Sequence, residues 1–220
     1  METKKMKNLT SEKVGKQVSV RVGSSKYYVL PFFKCEVDFR NENQKKKFIS
    51  CVERLVRQSP TYRSYIRYLK EEMGLTRCMM FGEIDDTMAA IEMHHGPIFT
   101  LYDYVEITII YFAKNNLQIS TFSIADQVLQ DHCQHLIQIV MLSEMAHNAV
   151  HAKDGNFVIV DINSAWGNLK EYLEKYKDCL TVRHYSKIRK YFDKLKELDN
   201  DSEIFKQRVQ NWKSLIQEKF

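Results

Sequence analysis

Through most of the 220-residue chain apolar side chains return at intervals of three and four, the spacing that gathers them on one face of an α-helix. Phe48, Cys51, Val52 and Leu55 form one such stripe, with Lys45, Lys46, Lys47, Arg54 and Arg57 on the remaining faces. That helix begins after Asn41 and stops near Ser59-Pro60. A second, from Tyr62 to Glu72, carries Arg63, Arg67 and Lys70 and is closed by Gly74. Further helices are expected over about 101–114, 123–132 and 144–152. Three short stripes follow in the tail: Trp166 to Leu180, Ile188 to Leu198 and Phe205 to Ile216. The scarcity of breakers agrees. Seven glycines and three prolines stand where average usage would supply roughly 26. This disfavours a loop-rich β-sandwich and favours a helix-dominated chain.

A period of two appears in fewer places. Val18, Val20 and Val22 alternate with polar residues, Gly23-Ser24-Ser25 makes a turn, and Tyr27 to Phe33 is β-rich, so residues 17–39 read as short strands. Residues 76–94 read as a β-hairpin, with Cys78 to Phe81 as one arm and Asp85-Asp86 as turn chemistry. The run His135 to Leu142 is apolar and β-branched, and Ser143 after it is a good helix N-cap. The expected fold class is α+β.

Charge divides the chain. Residues 1–70 hold 17 Lys/Arg against 6 Asp/Glu, residues 71–164 hold 3 against 13, and residues 165–220 hold 13 against 9. This suggests a basic N-terminal β/α module over 1–74, a core over 75–164 and a helical tail over 165–220. The basic end suits a polyanion, with Lys45, Lys46, Lys47, Arg54, Arg57, Arg63, Arg67 and Lys70 as candidate DNA contacts. The competing reading is a solvated face with no partner. No run approaches the roughly 18 apolar residues of a membrane span. The opening METKKMKNLTSEK lacks the apolar centre of a secretory leader, and five cysteines without paired short spacings read as free thiols. A cytoplasmic protein is expected.

Four of the seven histidines fall in two places: His94-His95 at the end of an expected strand, and His147-x-x-x-His151 in a short helix. Spacing of four puts His147 and His151 on one helical face, able to bind a single divalent ion. Adjacent strand residues point to opposite sides, so one of His94 and His95 can join that ion while the other faces elsewhere.

Together, Ile91-Glu92-Met93-His94-His95 and Leu142-Ser143-Glu144-Met145-Ala146-His147-Asn148-Ala149-Val150-His151 resemble the opening and closing motifs of the HNH endonucleases. Trp166-Gly167-Asn168 is similar to a phage-encoded branch of that family. The resemblance covers about residues 76–168. It implies a ββα-metal core with a helical insertion over 100–134, and metal-dependent hydrolysis of DNA phosphodiester bonds in the host cytoplasm. It further implies a divalent ion (Mg, Mn, Zn or Ni) on His94, His147 and His151, with His95 as general base. For the asparagine that orients the base, His132, His135 and Asn148 remain as alternatives. The alternative function is a non-catalytic phage protein that keeps the histidine scaffold while its flanks bind nucleic acid or a protein partner.

Overall fold

The computed structural model describes residues 18–22, 25–29, 37–151, 162 and 164–198, with side chains described over 37–151, at 162 and over 164–195. The third tail stripe, Phe205 to Ile216, and residues 30–33 lie outside the described residues.

Strands β1 (Val18–Val22) and β2 (Ser25–Val29) pair antiparallel, Val20 opposite Tyr27. Helix α1 (Glu42–Gln58) opens on Asn41, whose side-chain oxygen accepts from the backbone of Asn43 and Gln44. Ser59 ends it and caps α2 (Pro60–Glu71), accepting from the Tyr62 amide at 3.0 Å, with Pro60 at the first turn where no N–H is needed. The buried face of α1 is turned from the expected stripe: Phe48, Ile49, Val52 and Val56 are buried, while Cys51 and Leu55 are only half-buried. Helix α2 buries Tyr62, Tyr65 and Leu69.

The chain then loops to β3 (Ile91–His95) and enters α3 (Leu101–Lys114), where Asp103 accepts from the Thr100 amide and hydroxyl, each at 2.8 Å. Helix α3 is buried on most of its surface and packs against α1 and α4 (Thr121–Cys133), the latter capped by the reciprocal pair Ser120 and Ser123. Strand β4 (Ile139–Ser143) is buried at all five positions and runs straight into α5 (Glu144–His151). Helix α6 (Leu169–Tyr176), a 3-10 turn (Lys177–Cys179) and α7 (Val182–Leu198) close the described chain. The architecture is α+β: packed helices with the small two-stranded sheet β3–β4, and a second two-stranded sheet, β1–β2.

One expectation fails here. Residues 76–94 do not form a hairpin. Arg77 and Asp85 make an isolated bridge, and β3 pairs antiparallel with β4 instead, Ile91 opposite Ser143 and His95 opposite Ile139. The reason is burial. Strand β4 is apolar on both faces, so its backbone groups need partners on each side. It receives β3 on one edge, Met79 through a 2.7 Å bond to the Met141 carbonyl, and Trp166 through two 2.8 Å bonds with Ile139. Gly167 permits that last approach: at φ +108° its missing Cβ would stand 2.3 Å from the Ile137 carbonyl oxygen. Trp166 is therefore a strand-edge residue, and the stripe assigned to it begins at Leu169.

Candidate metal centre

The β3–β4 register and the immediate turn into α5 settle where the histidines go. Helix α5 starts beside Ile91 and packs on both strands, so its fourth and eighth residues, His147 and His151, come over the face that carries His94. The three rings sit at the corners of a near-regular triangle, with centroids 5.0 Å apart for His94–His147, 4.9 Å for His94–His151 and 4.8 Å for His147–His151. One nitrogen from each lies within 4.8 Å of the others. The Nε2 atoms of His147 and His151 are 3.1 Å apart. Ligands about 2.0–2.1 Å from a tetrahedral zinc stand about 3.3 Å from one another, so this pair is already near the spacing such an ion requires.

Protonation favours the same use. Burial holds His94 down at about 4, and the neighbouring His147, His151 and Arg57 push in the same direction. It is neutral near pH 7, as a ligand must be. Glu92, two residues before His94 and on the same strand face, places Oε2 2.6 Å from His147 Nδ1. The nitrogen donates to the carboxylate, which in the neutral ring leaves the lone pair on Nε2, the atom nearest His151.

His95 points the other way, into the core, and is 6% exposed. Its Nε2 lies 2.9 Å from His132 Nε2, its ring is stacked on Tyr62 at 6.2 Å, and burial first, then His132, lowers its basicity far below the ordinary value. His132 Nδ1 lies 2.7 Å from the Val128 carbonyl, so Nδ1 donates there and His132 Nε2 must accept from His95 Nε2. His95 is thus held in the core, its Nε2–H committed to His132, and is not open to solvent as a general base would need to be. Of the three alternatives for an orienting partner, His132 is therefore a core partner of His95, His135 stacks on Tyr68 at 5.8 Å, and Asn148 is exposed on α5.

The basic helices divide. Lys45 turns inward to an ion pair with Glu106 of α3, and Lys70 donates to the Ile91 carbonyl at 2.8 Å, so neither ammonium is offered to a partner. Arg57 faces Glu53 at 3.6 Å, while Lys46, Lys47, Arg54, Arg63 and Arg67 are exposed. The Glu106 that captures Lys45 belongs to a buried cluster that also joins α7. Arg183 contacts both Glu106 and Asp103, Lys187 reaches Asp103 at 2.6 Å, and His184 Nε2 stands 3.1 Å from Glu106. Burial would raise Glu106, but His184, Lys45 and Arg183 outweigh it and hold the carboxyl down at about 2. A cleft of about 510 Å³ opens over this cluster. Three of its four cations, Lys45, Arg183 and Lys187, are already matched by carboxylates, so it is a clasp between α1, α3 and α7.

Fold and site together define a mixed α+β protein with a histidine triangle on a sheet–helix junction. The chain belongs to the bacteriophage G278-like virion protein family, whose model matches residues 1–219. No curated protein and no solved structure matches it. This finding overturns the resemblance to HNH endonucleases, and with it the DNA-hydrolysing function and the host-cytoplasmic location; only the phage origin stands. The site shows why the motifs misled. His94, His147 and His151 do converge, yet His95 is spent in the core. Free thiols at Cys51, Cys78, Cys133 and Cys179 carry no information on location once the family is a particle component. Among the described residues no helix is long and apolar enough to cross a membrane.

Proposed function

We propose that this protein is a non-catalytic component of the phage particle in which His94, His147 and His151 bind one divalent transition-metal ion. The ion clips α5 to β3. The observation that carries the reading is the combination of three convergent imidazoles with a fourth, His95, turned inward and hydrogen-bonded. Imidazole nitrogens suit zinc and its neighbours far better than Mg or Ca, which prefer oxygen. An ion that binds only the folded chain adds RT ln(1 + [L]/Kd) to stability, about 2.7 kcal/mol at a hundred times Kd. Its role here is mechanical. The exposed cations Lys46, Lys47, Arg54, Arg63 and Arg67 form the face offered to an acidic surface of a neighbouring particle protein.

The test is calorimetric titration of the metal-free protein with Zn²⁺, beside His147→Ala. One site per chain in the wild type, lost in the variant, supports the reading. Absence of Zn²⁺, Co²⁺ and Ni²⁺ binding at neutral pH overturns it.

A further inference from the structure

The geometry points to Glu92 as the positioning residue of this metal centre: an outer carboxylate that orients His147 without touching the ion and so tunes the site for a zinc-class metal. The inference rests on the metal reading of the three histidines and adds a residue to which the motif spacing assigned no role.

Three observations carry it. First, position: Glu92 and His94 alternate on one face of β3, and α5 lies over that face, so carboxylate and imidazole meet across the sheet–helix junction. Second, contact: at 2.6 Å the His147 Nδ1–H must donate to Glu92, which fixes the tautomer and aims the Nε2 lone pair toward His94 and His151. Third, location: the Glu92 side chain is 48% exposed and that of His147 27% exposed. A pair this open contributes little to folding by itself, because water screens it and both side chains lose freedom. Its value lies in the ring it holds. Without the carboxylate His147 is free to choose the other tautomer or to rotate, and each metal-binding event then bears the cost of restoring the ring. Outer carboxylates of this kind are worth about 10–100-fold in metal affinity.

The alternative is a plain surface bridge that tacks α5 to the sheet, and the two roles separate experimentally. Zn²⁺ and Co²⁺ affinities are measured for the full chain, Glu92→Gln and Glu92→Ala, together with urea unfolding of the metal-free proteins. A positioning role predicts about 10–100-fold weaker Zn²⁺ binding for Glu92→Ala, with metal-free unfolding nearly unchanged. Glu92→Gln keeps an oxygen to accept from Nδ1 but lacks the charge, and falls between. The Co²⁺ complex of Glu92→Ala shows an altered visible absorption band, reporting a displaced ligand. Equal affinities across the three proteins, or a loss in metal-free stability as large as the loss in binding, overturns the role of Glu92 while the metal site stands. Tighter binding of Mg²⁺ than of Zn²⁺ to the wild type overturns the assignment of metal class. If the wild type binds neither Zn²⁺ nor Co²⁺, the metal reading falls and takes Glu92 with it.

Discussion

The Nε2 atoms of His95 and His132 meet 2.9 Å apart in the interior, and the Val128 carbonyl on the far side of His132 dictates which of them carries the hydrogen. Both rings must be neutral for this arrangement. Burial lowers His132 to about 4 and lowers His95 further than His132 does alone. The unfolded chain, with histidines near 6.5, therefore binds more protons than the folded one between about 6.5 and 4. Stability from this pair is complete above about 6.5 and is lost as pH falls toward 4. We expect unfolding free energy, measured in urea with a chelator present, to drop by roughly 3 kcal/mol over that window from His132 alone. A flat profile from pH 7 to 4.5 would show that the pair is solvated.

A second expectation concerns His151, the exposed corner of the triangle. His151→Ala removes little packing, so metal-free stability should change by less than about 0.5 kcal/mol. Its thermal stabilisation by Zn²⁺ should fall away, because two imidazoles hold the ion far less well than three. Equal Zn²⁺-dependent shifts in wild type and variant would place the ion elsewhere.

Lys45 and its neighbours give a third. Lys45→Met leaves Glu106 buried with one partner fewer, although Arg183 and His184 remain. A destabilisation of about 1–3 kcal/mol is expected. Lys46→Met and Lys47→Met, whose side chains point into water, should each stay within about 0.5 kcal/mol. Chemical denaturation of the three variants decides the matter. Equal effects would mean that Lys45 is as solvated as the other two.

What the sequence made legible follows a physical divide. Helices α1 to α4 could be read because their information is local: a stripe every three or four residues, a start after Asn41 and stops near Ser59-Pro60 and Gly74. The cap at Ser120, which starts α4 at Thr121, was not among those signals. The convergence of His147 and His151 was local too, being one turn of one helix. Pairings between distant segments were not. Strand β3 finds β4 after two intervening helices, and the nearer arm suggested by Cys78 to Phe81 does not pair with it; the bridge in that segment joins Arg77 to Asp85. His132 arrives at His95 from the helical insertion, and Glu106 reaches Lys45 from another helix. In both cases a residue read as free for chemistry is consumed by a partner remote in sequence. Glu92 stood inside the histidine motif, but its role depends on α5 crossing the sheet above it.

The last expectation separates the exposed cations from those turned inward. If the α1–α2 face docks on an acidic surface in the particle, the work falls to Lys46, Lys47, Arg54, Arg63 and Arg67, because Lys45 and Lys70 are occupied within the chain. Rim charges of this kind govern encounter and salt dependence more than fold. Replacing Lys46, Lys47, Arg54 and Arg63 by Gln should therefore leave the urea midpoint and Zn²⁺ affinity of the isolated protein nearly unchanged. Incorporation into particles should drop, scored by mass spectrometry of purified phage assembled with the variant. Restoring any one cation should recover part of the loss, since each contributes through long-range attraction. Screening acts on the same term: the Debye length shrinks from about 10 Å at 0.1 M salt to about 3 Å at 1 M. High salt should thus release the wild-type protein from disrupted particles more readily than a neutral detergent does. Normal incorporation of the quadruple variant would show that these side chains serve only to keep α1 and α2 in water, and the docking face would then lie on the acidic segment between α2 and β3.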